Sequence, residues 1–300
     1  MTTIEGIYSA WQTFFFEPQE GYTIALFRIG FGIILLREAF YIMANLEEYL
    51  GPNGLVGYDR YYSRSRKVTF SLFLYFPPTM RSVKGIMILH FLGIVGMILG
   101  FLTPLCIAVT FITTRSIVNR NPSICNGGDN VSRIMLFYLI FANAGHVYSL
   151  DEILFYNADS SGISHTLVSP WAIRLMQIQF SIIYLNTTYW KMKGTTYREG
   201  TAVYYAMNNH IYSRGRIPVW FIQKPMVFVL TWGALAVEFF LGFGVWIEEL
   251  RPATVIAGMG LHCVMEYMMN VHLFGWYMIT CWILFIDPIT ISNFFNSIII

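Results

Sequence analysis

Ionisable side chains lie inside long apolar stretches of the sequence, where little water is available to solvate them. Arg28 falls within TIALFRIGFG, and Glu238 falls within ALAVEFFLGFG. A charge at the centre of a bilayer costs about 2.5–3.5 kcal/mol, so each of these residues needs a partner or a function. Arg28 either reaches the interface or an interior acid, or it is a fixed cation that lines a binding site. Glu238 is either the partner of Arg28 or a group that binds and releases protons.

His262 and Glu266 form a second candidate pair, because they are four positions apart in one apolar run. This spacing places an imidazole and a carboxylate on one face of a helix, where they can form a hydrogen bond. The pair is either a proton relay or a polar contact that joins two helices. Two ligands on one helix are too few for a metal site, so no metal is predicted.

Lys191 follows the segment YLNTTYW, at a position where the C-terminal end of a helix favours a cation. Its side chain either extends to the membrane surface or lies in an apolar pocket, where an amine can act as a general base. Asp129 follows Asn-Gly-Gly and is predicted to cap the next helix, while Ser149 or Asp151 is placed to cap the segment that follows.

The composition indicates that membrane helices position these residues. The 300 residues are 56% hydrophobic and only 12% charged, whereas a soluble domain is about 25% charged. A net charge of +2 gives no basic surplus, so nucleic acid is excluded as a partner. The fold class predicted is therefore all-α: a polytopic integral membrane protein in the cell membrane, with multiple passes and with membrane lipids as partners.

A spanning helix needs roughly 20 apolar residues, and this rule gives about eight transmembrane helices. Residues 3 to 16 are too short and too polar to cross, so residues 1–20 are predicted to form an interfacial helix before a bundle over 21–290. The whole chain, 1–300, is predicted to be a single membrane domain. The predicted spans are 24 to 42, 85 to 101, 103 to 118, 131 to 148, 171 to 190, 226 to 247, 253 to 269 and 273 to 286.

Three groups of motifs occur in the order and spacing of a known family. They are FRIGFGIILL with GPNGL, then NPSICNGGDNVSRIMLFYLIF with YSLD, then YLNTTYWKMKG with YREGTAVYY. From about residue 12 to residue 290, the chain resembles the HTTM (horizontally transferred transmembrane) family, the membrane domain shared with vitamin K-dependent gamma-glutamyl carboxylase. Bacterial members include proteins of the maturation system for a sporulation-delaying peptide toxin, and this chain is similar to them in size.

The resemblance implies an enzyme that uses a reduced quinone of the vitamin K or menaquinone type. In the carboxylase, a lysine after the corresponding span deprotonates reduced vitamin K, and the product of oxygenation removes a glutamate γ-proton so that carbon dioxide can add. Lys191 matches that lysine by motif position, with Lys193 as a rival, and Asp129 stands where the carboxylase has a histidine. The resemblance thus implies Lys191 as the base, with Asp129 and Asp151 as orienting or acid groups. The expected pocket lining consists of the other ionisable residues within the spans: Arg28, Glu238, His262 and Glu266.

Two function classes stay open at this point. The sequence has no room for the large lumenal domain that follows the membrane region in the carboxylase, so carboxylation of a docked protein is not expected. The alternative to a quinone-dependent enzyme is a non-enzymatic membrane factor for the maturation or export of a secreted peptide, recognised through the aromatic-rich first loop. A secreted peptide or protein is therefore a second expected partner.

Overall fold

The computed structural model describes residues 3–65, 70–156, 166–209, 211–214 and 219–299. Within these ranges the chain is almost entirely helical, and one short two-stranded sheet is present. This confirms the predicted all-α class. The chain divides into two compact units, Met1–Arg174 with Asp287–Ile300 and Leu175–Ile286. This division is based on how densely the residues pack and does not test the prediction that residues 1–300 form a single domain.

The first unit is built mainly on helices that follow one another along the chain. Its sheet joins β1 (Gln19–Glu20) to β2 (Leu167–Val168) in antiparallel register, and a π-helical turn covers Glu152–Tyr156. Short 3-10 turns cover Leu72–Leu74 and Pro122–Ile124. The helices are α1 (Thr3–Phe16), α2 (Tyr22–Ala44), α3 (Leu46–Leu50), α4 (Tyr58–Ser65), α5 (Met80–Leu99), α6 (Thr103–Arg120) and α7 (Gly127–Leu139).

The second unit begins within α8 (Trp171–Lys193), at Leu175, and ends at Ile286. The residues that follow, from Asp287, belong to the first unit again. Short 3-10 turns cover Val219–Ile222 and Ile283–Phe285. The helices are α8 (Trp171–Lys193), α9 (Thr195–Arg198), α10 (Ala202–Asn208), α11 (Lys224–Gly244), α12 (Arg251–Met268) and α13 (Phe274–Trp282), followed by α14 (Pro288–Ile299) in the first unit.

Two of the described helices, α5 and α11, are long and apolar enough to cross a membrane. A third candidate exists if Phe274–Phe285 and Pro288–Ser297 together form one interrupted span. This is fewer than the predicted eight, because the other helices fall short in length or in apolar content. Helix α2 carries Arg28, Arg37 and Glu38, α6 and α12 contain many polar side chains, and α7 has only 13 residues.

The boundaries of most predicted spans agree with helices, and the fourth differs most. The prediction extended this helix from 131 to 148, whereas α7 covers Gly127–Leu139. Asn143 and Tyr148 have φ angles of +49° and +50°, which a continuous right-handed helix does not allow. The apolar pattern continues through this segment although the backbone does not, and for that reason the pattern alone overestimated the helix.

The predicted hairpin of the second and third spans is confirmed. Helix α5 ends at Leu99, and α6 begins at Thr103 after a turn in which Gly100 has a φ of +67°. A side chain at Gly100 would place its Cβ 2.3 Å from the Cβ of Ser149, so both the backbone angle and the space require glycine. The two helices therefore pack closely around a turn that admits no larger residue.

The aromatic-rich first loop folds around a buried arginine. Arg120, which is fully buried, donates hydrogen bonds of 2.6 Å to the carbonyl oxygens of Gly51 and Val56. Its guanidinium carbon lies 4.2 Å from the ring centroid of Tyr58 and 5.2 Å from that of Tyr61. Both tyrosines are buried in a core that continues along α2 and α5. Carbonyl groups and aromatic faces together compensate the buried charge.

Candidate functional site

A row of polar residues runs along α8 through an otherwise apolar helix. Gln177, Ser181, Tyr184, Thr188 and Lys191 are separated alternately by four and three positions, which places them on one helix face. Within the second unit, these side chains point toward other helices rather than toward one another. The row therefore supplies polar groups at successive depths of this unit.

The C-terminal end of the row forms an ion pair. Lys191 Nζ lies 2.5 Å from Glu238 Oε1 and 2.6 Å from Glu238 Oε2, and Glu238 is carried by α11. The exposed fraction of the side chain is 25% for Lys191 and 10% for Glu238, so the amine can be reached from outside the helix packing while the carboxylate is largely enclosed. Such a charge-assisted pair is stronger than a neutral hydrogen bond.

The rival lysine lies in a different environment. Lys193 is exposed, and its Nζ lies 4.3 Å from the ring centroid of Tyr189 and 5.1 Å from that of Trp190. Both aromatic residues are themselves more than half exposed. Lys193 thus has the surroundings of a membrane-interface anchor, whereas Lys191 has a buried acidic partner.

The predicted hydrogen bond between His262 and Glu266 is wrong for the described residues. The Nε2 of His262 instead shares a hydrogen bond of 2.6 Å with the hydroxyl of Tyr184, in the middle of the polar row. Glu266 accepts a hydrogen bond of 3.2 Å from the backbone N–H of Gly275, and one of its oxygens lies 3.9 Å from an Arg214 nitrogen. His262 and Glu266 therefore each bind a residue outside α12, although the two lie on one face of that helix.

Two buried polar atoms near the middle of the row have no hydrogen-bond partner in the described part of the chain. They are Oγ1 of Thr188 and Nδ1 of His262, and both residues are almost fully buried. Tyr184 and Lys191 lie on the same face of α8, so the Tyr184–His262 contact and the ion pair are successive polar contacts along this face.

The N-terminal half of the row is occupied by structural contacts. Gln177 donates a hydrogen bond of 2.6 Å to the carbonyl oxygen of Leu284, and Ser181 accepts one of 2.9 Å from the indole N–H of Trp246. These bonds attach α8 to its neighbours. The candidate site is therefore restricted to the segment from Tyr184 to Lys191.

Arg28 and Asp151 form a separate cluster in the first unit. The guanidinium of Arg28 donates hydrogen bonds to the carbonyl oxygens of Met97, Ile98 and Tyr148, at 2.5, 2.8 and 2.6 Å. The predicted pairing of Arg28 with Glu238 is therefore not observed. Arg28 binds carbonyl groups of the first unit, and Glu238 binds Lys191. Arg28 compensates the C-terminal carbonyl groups of α5.

Asp151 and Asp129 both accept hydrogen bonds from backbone N–H groups. The oxygens of Asp151 accept from Leu102 and Thr103, at 2.7 and 2.8 Å, and so cap α6. Asp129 accepts from the N–H of Asn126 at 2.6 Å as the third residue of a capping box, so it does help to cap α7, but the N-cap itself is Asn126 and the two glycines of the predicted turn belong to the helix. Within the described ranges, no group of three or more His, Cys, Asp or Glu side chains is placed to hold a metal ion.

The seven predicted site residues thus fall into two sets. Lys191, Glu238, His262 and Glu266 lie in the second unit, where the structure pairs Lys191 with Glu238 and gives His262 a different partner from Glu266. Sequence reasoning missed Tyr184 and Thr188. The signal was present, because both follow the four-and-three spacing that leads to Lys191.

The comparisons with known proteins agree with this membrane character. The family model of the HTTM domain matches residues 16–289, nearly the whole chain. No curated protein and no solved structure matches this chain. The chain therefore belongs to the HTTM domain family, a family of membrane domains linked to vitamin K-dependent carboxylase-like proteins.

Proposed function

We propose that this protein is a membrane-embedded enzyme in which Lys191 accepts a proton from a hydroxyl group of a reduced quinone or another lipid. The observation that supports this function is the contact of Lys191 Nζ with both oxygens of Glu238, beside the Tyr184–His262 hydrogen bond. Ionisable groups of this kind inside a membrane domain are costly, and their presence here favours a function in proton handling.

A base requires the neutral form of Lys191, and within this pair that form arises only by transfer of a proton from Nζ to the adjoining Glu238 oxygen. When the shared proton lies on Glu238, Lys191 is a neutral amine with a free electron pair. Lys191 Nζ then takes a proton from a bound hydroxyl and becomes an ammonium ion. Transfer of the Glu238 proton to a neighbouring group restores the ion pair, and the proposed acceptor is the hydrogen-bonded couple of Tyr184, on the same face of α8 as Lys191, and His262.

The donor set fits a reduced quinone. When bound, such a group supplies acidic hydroxyl groups and two electrons. Thr188 Oγ1 and His262 Nδ1 are buried atoms that lack a hydrogen-bond partner among the described residues, and a hydroxyl group can satisfy either of them. The rings of Tyr184 and Trp282, with centroids 5.6 Å apart, provide an apolar wall beside them. The chemistry proposed does not use Asp129 or Asp151, since backbone N–H groups occupy their oxygens.

We further propose that the polar helices join α5 and α11 in the bilayer of the cell membrane and give a multi-pass protein. Helices with buried polar faces can be accommodated there when other helices cover those faces. The buried Arg28 and the polar row on α8 are consistent with this arrangement. For the non-enzymatic alternative the first loop offers only part of its aromatic residues: Tyr58 and Tyr61 are buried around Arg120, whereas Tyr75 and Phe76 are exposed.

The test is turnover of a reduced quinone by the purified protein in lipid nanodiscs. Hydroquinone loss is followed by mass spectrometry in the presence of oxygen and bicarbonate, for the wild type, Lys191→Ala and Lys193→Ala. General acid–base catalysis contributes about 10²–10⁴-fold, so Lys191→Ala should lower the rate by at least about 100-fold. Lys193→Ala should retain the wild-type rate, because the contacts of Lys193 within the described residues are with exposed aromatic rings.

A second measurement separates binding from turnover. Organic extracts of the wild type and of Lys191→Ala are compared for co-purified quinone by mass spectrometry. Quinone in both samples with turnover only in the wild type supports Lys191 as the base. Equal turnover in both proteins, or a wild type that neither retains quinone nor consumes it, would contradict the proposal.

A further inference from the structure

An open cavity of about 510 Å³ lies in the first unit, where α1 ends and the chain enters β1. Its lining includes Thr13 and Phe14 from the end of α1, Glu17 just after it, Gln19 from β1 and Arg174 from the start of α8. This volume falls in the range of about 300–1,000 Å³ that small-molecule sites occupy. The residues of the proposed catalytic chemistry do not line it.

The guanidinium group on the cavity wall is held in a fixed orientation. Arg174 donates hydrogen bonds to the carbonyl oxygen of Phe14 at 3.2 Å and to Gln19 Oε1 at 3.3 Å. Its Cζ atom lies 5.0 Å from the centroid of the Phe14 ring. Pairing of Gln19 with Val168 in the small sheet fixes the neighbouring backbone. The cavity thus presents a positioned cation.

A carboxylate lies at the same cavity. Glu17 is exposed to solvent, one residue after the end of α1, and it lines the cavity together with Arg174. The site therefore combines an anion with a cation. A zwitterionic ligand, which carries both charges, matches this combination better than a simple anion does.

Helix α1 indicates the depth at which the cavity lies in a membrane. Ile4, Ile7, Tyr8 and Trp11 are 78%, 66%, 64% and 55% exposed, and their spacing places them in one apolar stripe. An apolar stripe of this kind on a short amphipathic helix lies at the boundary between lipid headgroups and acyl chains. The cavity residues of α1 form the adjacent stripe of the same helix.

We propose that this cavity binds the headgroup of a phosphatidylethanolamine-type lipid. The guanidinium of Arg174 binds the phosphate, and the carboxylate of Glu17 accepts hydrogen bonds from the primary ammonium group. The acyl chains lie along the exposed stripe of α1. A choline headgroup has no N–H to donate, and a glycerol headgroup has no positive charge for Glu17. The site should therefore select ethanolamine over both.

Native mass spectrometry of the full-length protein in detergent tests this selectivity. Phosphatidylethanolamine, phosphatidylcholine and phosphatidylglycerol with identical acyl chains are added in equal amounts, and the bound lipids are quantified. A partly exposed ion pair contributes up to about 1 kcal/mol, which corresponds to about a fivefold preference for phosphatidylethanolamine over phosphatidylglycerol in the wild type. Glu17→Gln removes the negative charge and should bind these two lipids equally.

Glu5→Gln is the matched control, because it makes the same change on α1 at an exposed position that does not line the cavity. This variant should keep the preference of the wild type. Soluble phosphoethanolamine at the concentration of the lipid should leave the bound lipid in place, since it lacks acyl chains. The proposal is overturned by equal binding of the three lipids to the wild type, by an unchanged preference in Glu17→Gln, or by displacement of the lipid by soluble phosphoethanolamine.

Discussion

Lys191 of α8 and Glu238 of α11 form a two-oxygen ion pair across 47 positions of sequence. The pair is only partly enclosed, since the Lys191 side chain is 25% exposed. Its energetic contribution therefore lies between that of a surface pair and that of a fully buried pair. The geometry joins the C-terminal end of one long helix to the middle of another, so the same contact that supports the proposed chemistry also holds this unit together.

Removal of both members of this pair should cost less stability than the two single removals added together. Lys191→Met leaves the Glu238 carboxylate largely enclosed without its cation, and Glu238→Met leaves the ammonium without its anion. Each single variant should lose about 1–3 kcal/mol of unfolding free energy. The double variant should lose less than the sum, as measured by denaturant unfolding in detergent micelles. Lys193→Met is the control and should change stability by less than about 0.5 kcal/mol. Strict additivity of the two single variants would show that the contact is not made in solution.

Gly100 should be intolerant of the smallest side chain. Gly100→Ala requires a φ of +67° in a residue with a Cβ and places that atom 2.3 Å from the Cβ of Ser149. The expected loss is about 1–3 kcal/mol of unfolding free energy, seen as a lower midpoint of thermal unfolding. Gly85→Ala serves as the comparison, because Gly85 lies inside α5 with no atom within 4 Å of an added Cβ. It should stabilise the protein by about 0.5–1 kcal/mol. Equal effects of the two substitutions would rule out the described turn.

Cys125 should react slowly with alkylating reagents until the solution is strongly alkaline. Burial, together with the nearby Asp129 carboxylate, raises the pKa of this loop thiol to about 12. Only the thiolate reacts, so the rate of modification by iodoacetamide should rise about tenfold per pH unit from pH 7 to pH 10. A levelling of the rate near pH 8.5 would show that the thiol is not shifted.

The same shift predicts how stability depends on pH. A cysteine in the unfolded chain has a pKa of about 8.5, which is lower than the pKa of Cys125 in the folded protein. The folded state therefore keeps the proton after the unfolded state has lost it. The stabilisation is fully present below about pH 8.5 and decreases as the pH rises above that value. Cys125→Ala should show a flatter stability profile than the wild type between pH 8 and pH 10, in denaturant unfolding at each pH.

The helices that the sequence predicts well are those whose apolar runs are closed by clear end signals. The hairpin of α5 and α6 was predicted from Thr103 and Pro104 at the second helix start, and the role of Asp129 as a cap was predicted from the Asn-Gly-Gly turn before it. Local chemistry determines these features, because the interacting groups are a few residues apart. Span number was harder to predict, since a helix can be apolar on one face and still carry several polar groups.

The partners of the site residues could not be predicted in the same way. The i, i+4 spacing of His262 and Glu266 made a bond between them plausible, but Tyr184 and Gly275 come from segments that only the folded chain brings near. Glu238 had several possible cations in the sequence, and nothing local distinguished Lys191 from Arg28. The polar row on α8 could have been predicted from the sequence, because Tyr184, Thr188 and Lys191 are four and then three positions apart, as residues on one helix face are.

The position of Arg28 has a consequence for the biosynthesis of the protein. Its acceptors, the carbonyl groups of Met97 and Tyr148, are 69 and 120 positions further along the chain. The ribosome therefore delivers α2 with its guanidinium group long before any of these acceptors exists. The full set of hydrogen bonds of Arg28 therefore becomes available only after the segment around Tyr148 has been synthesised.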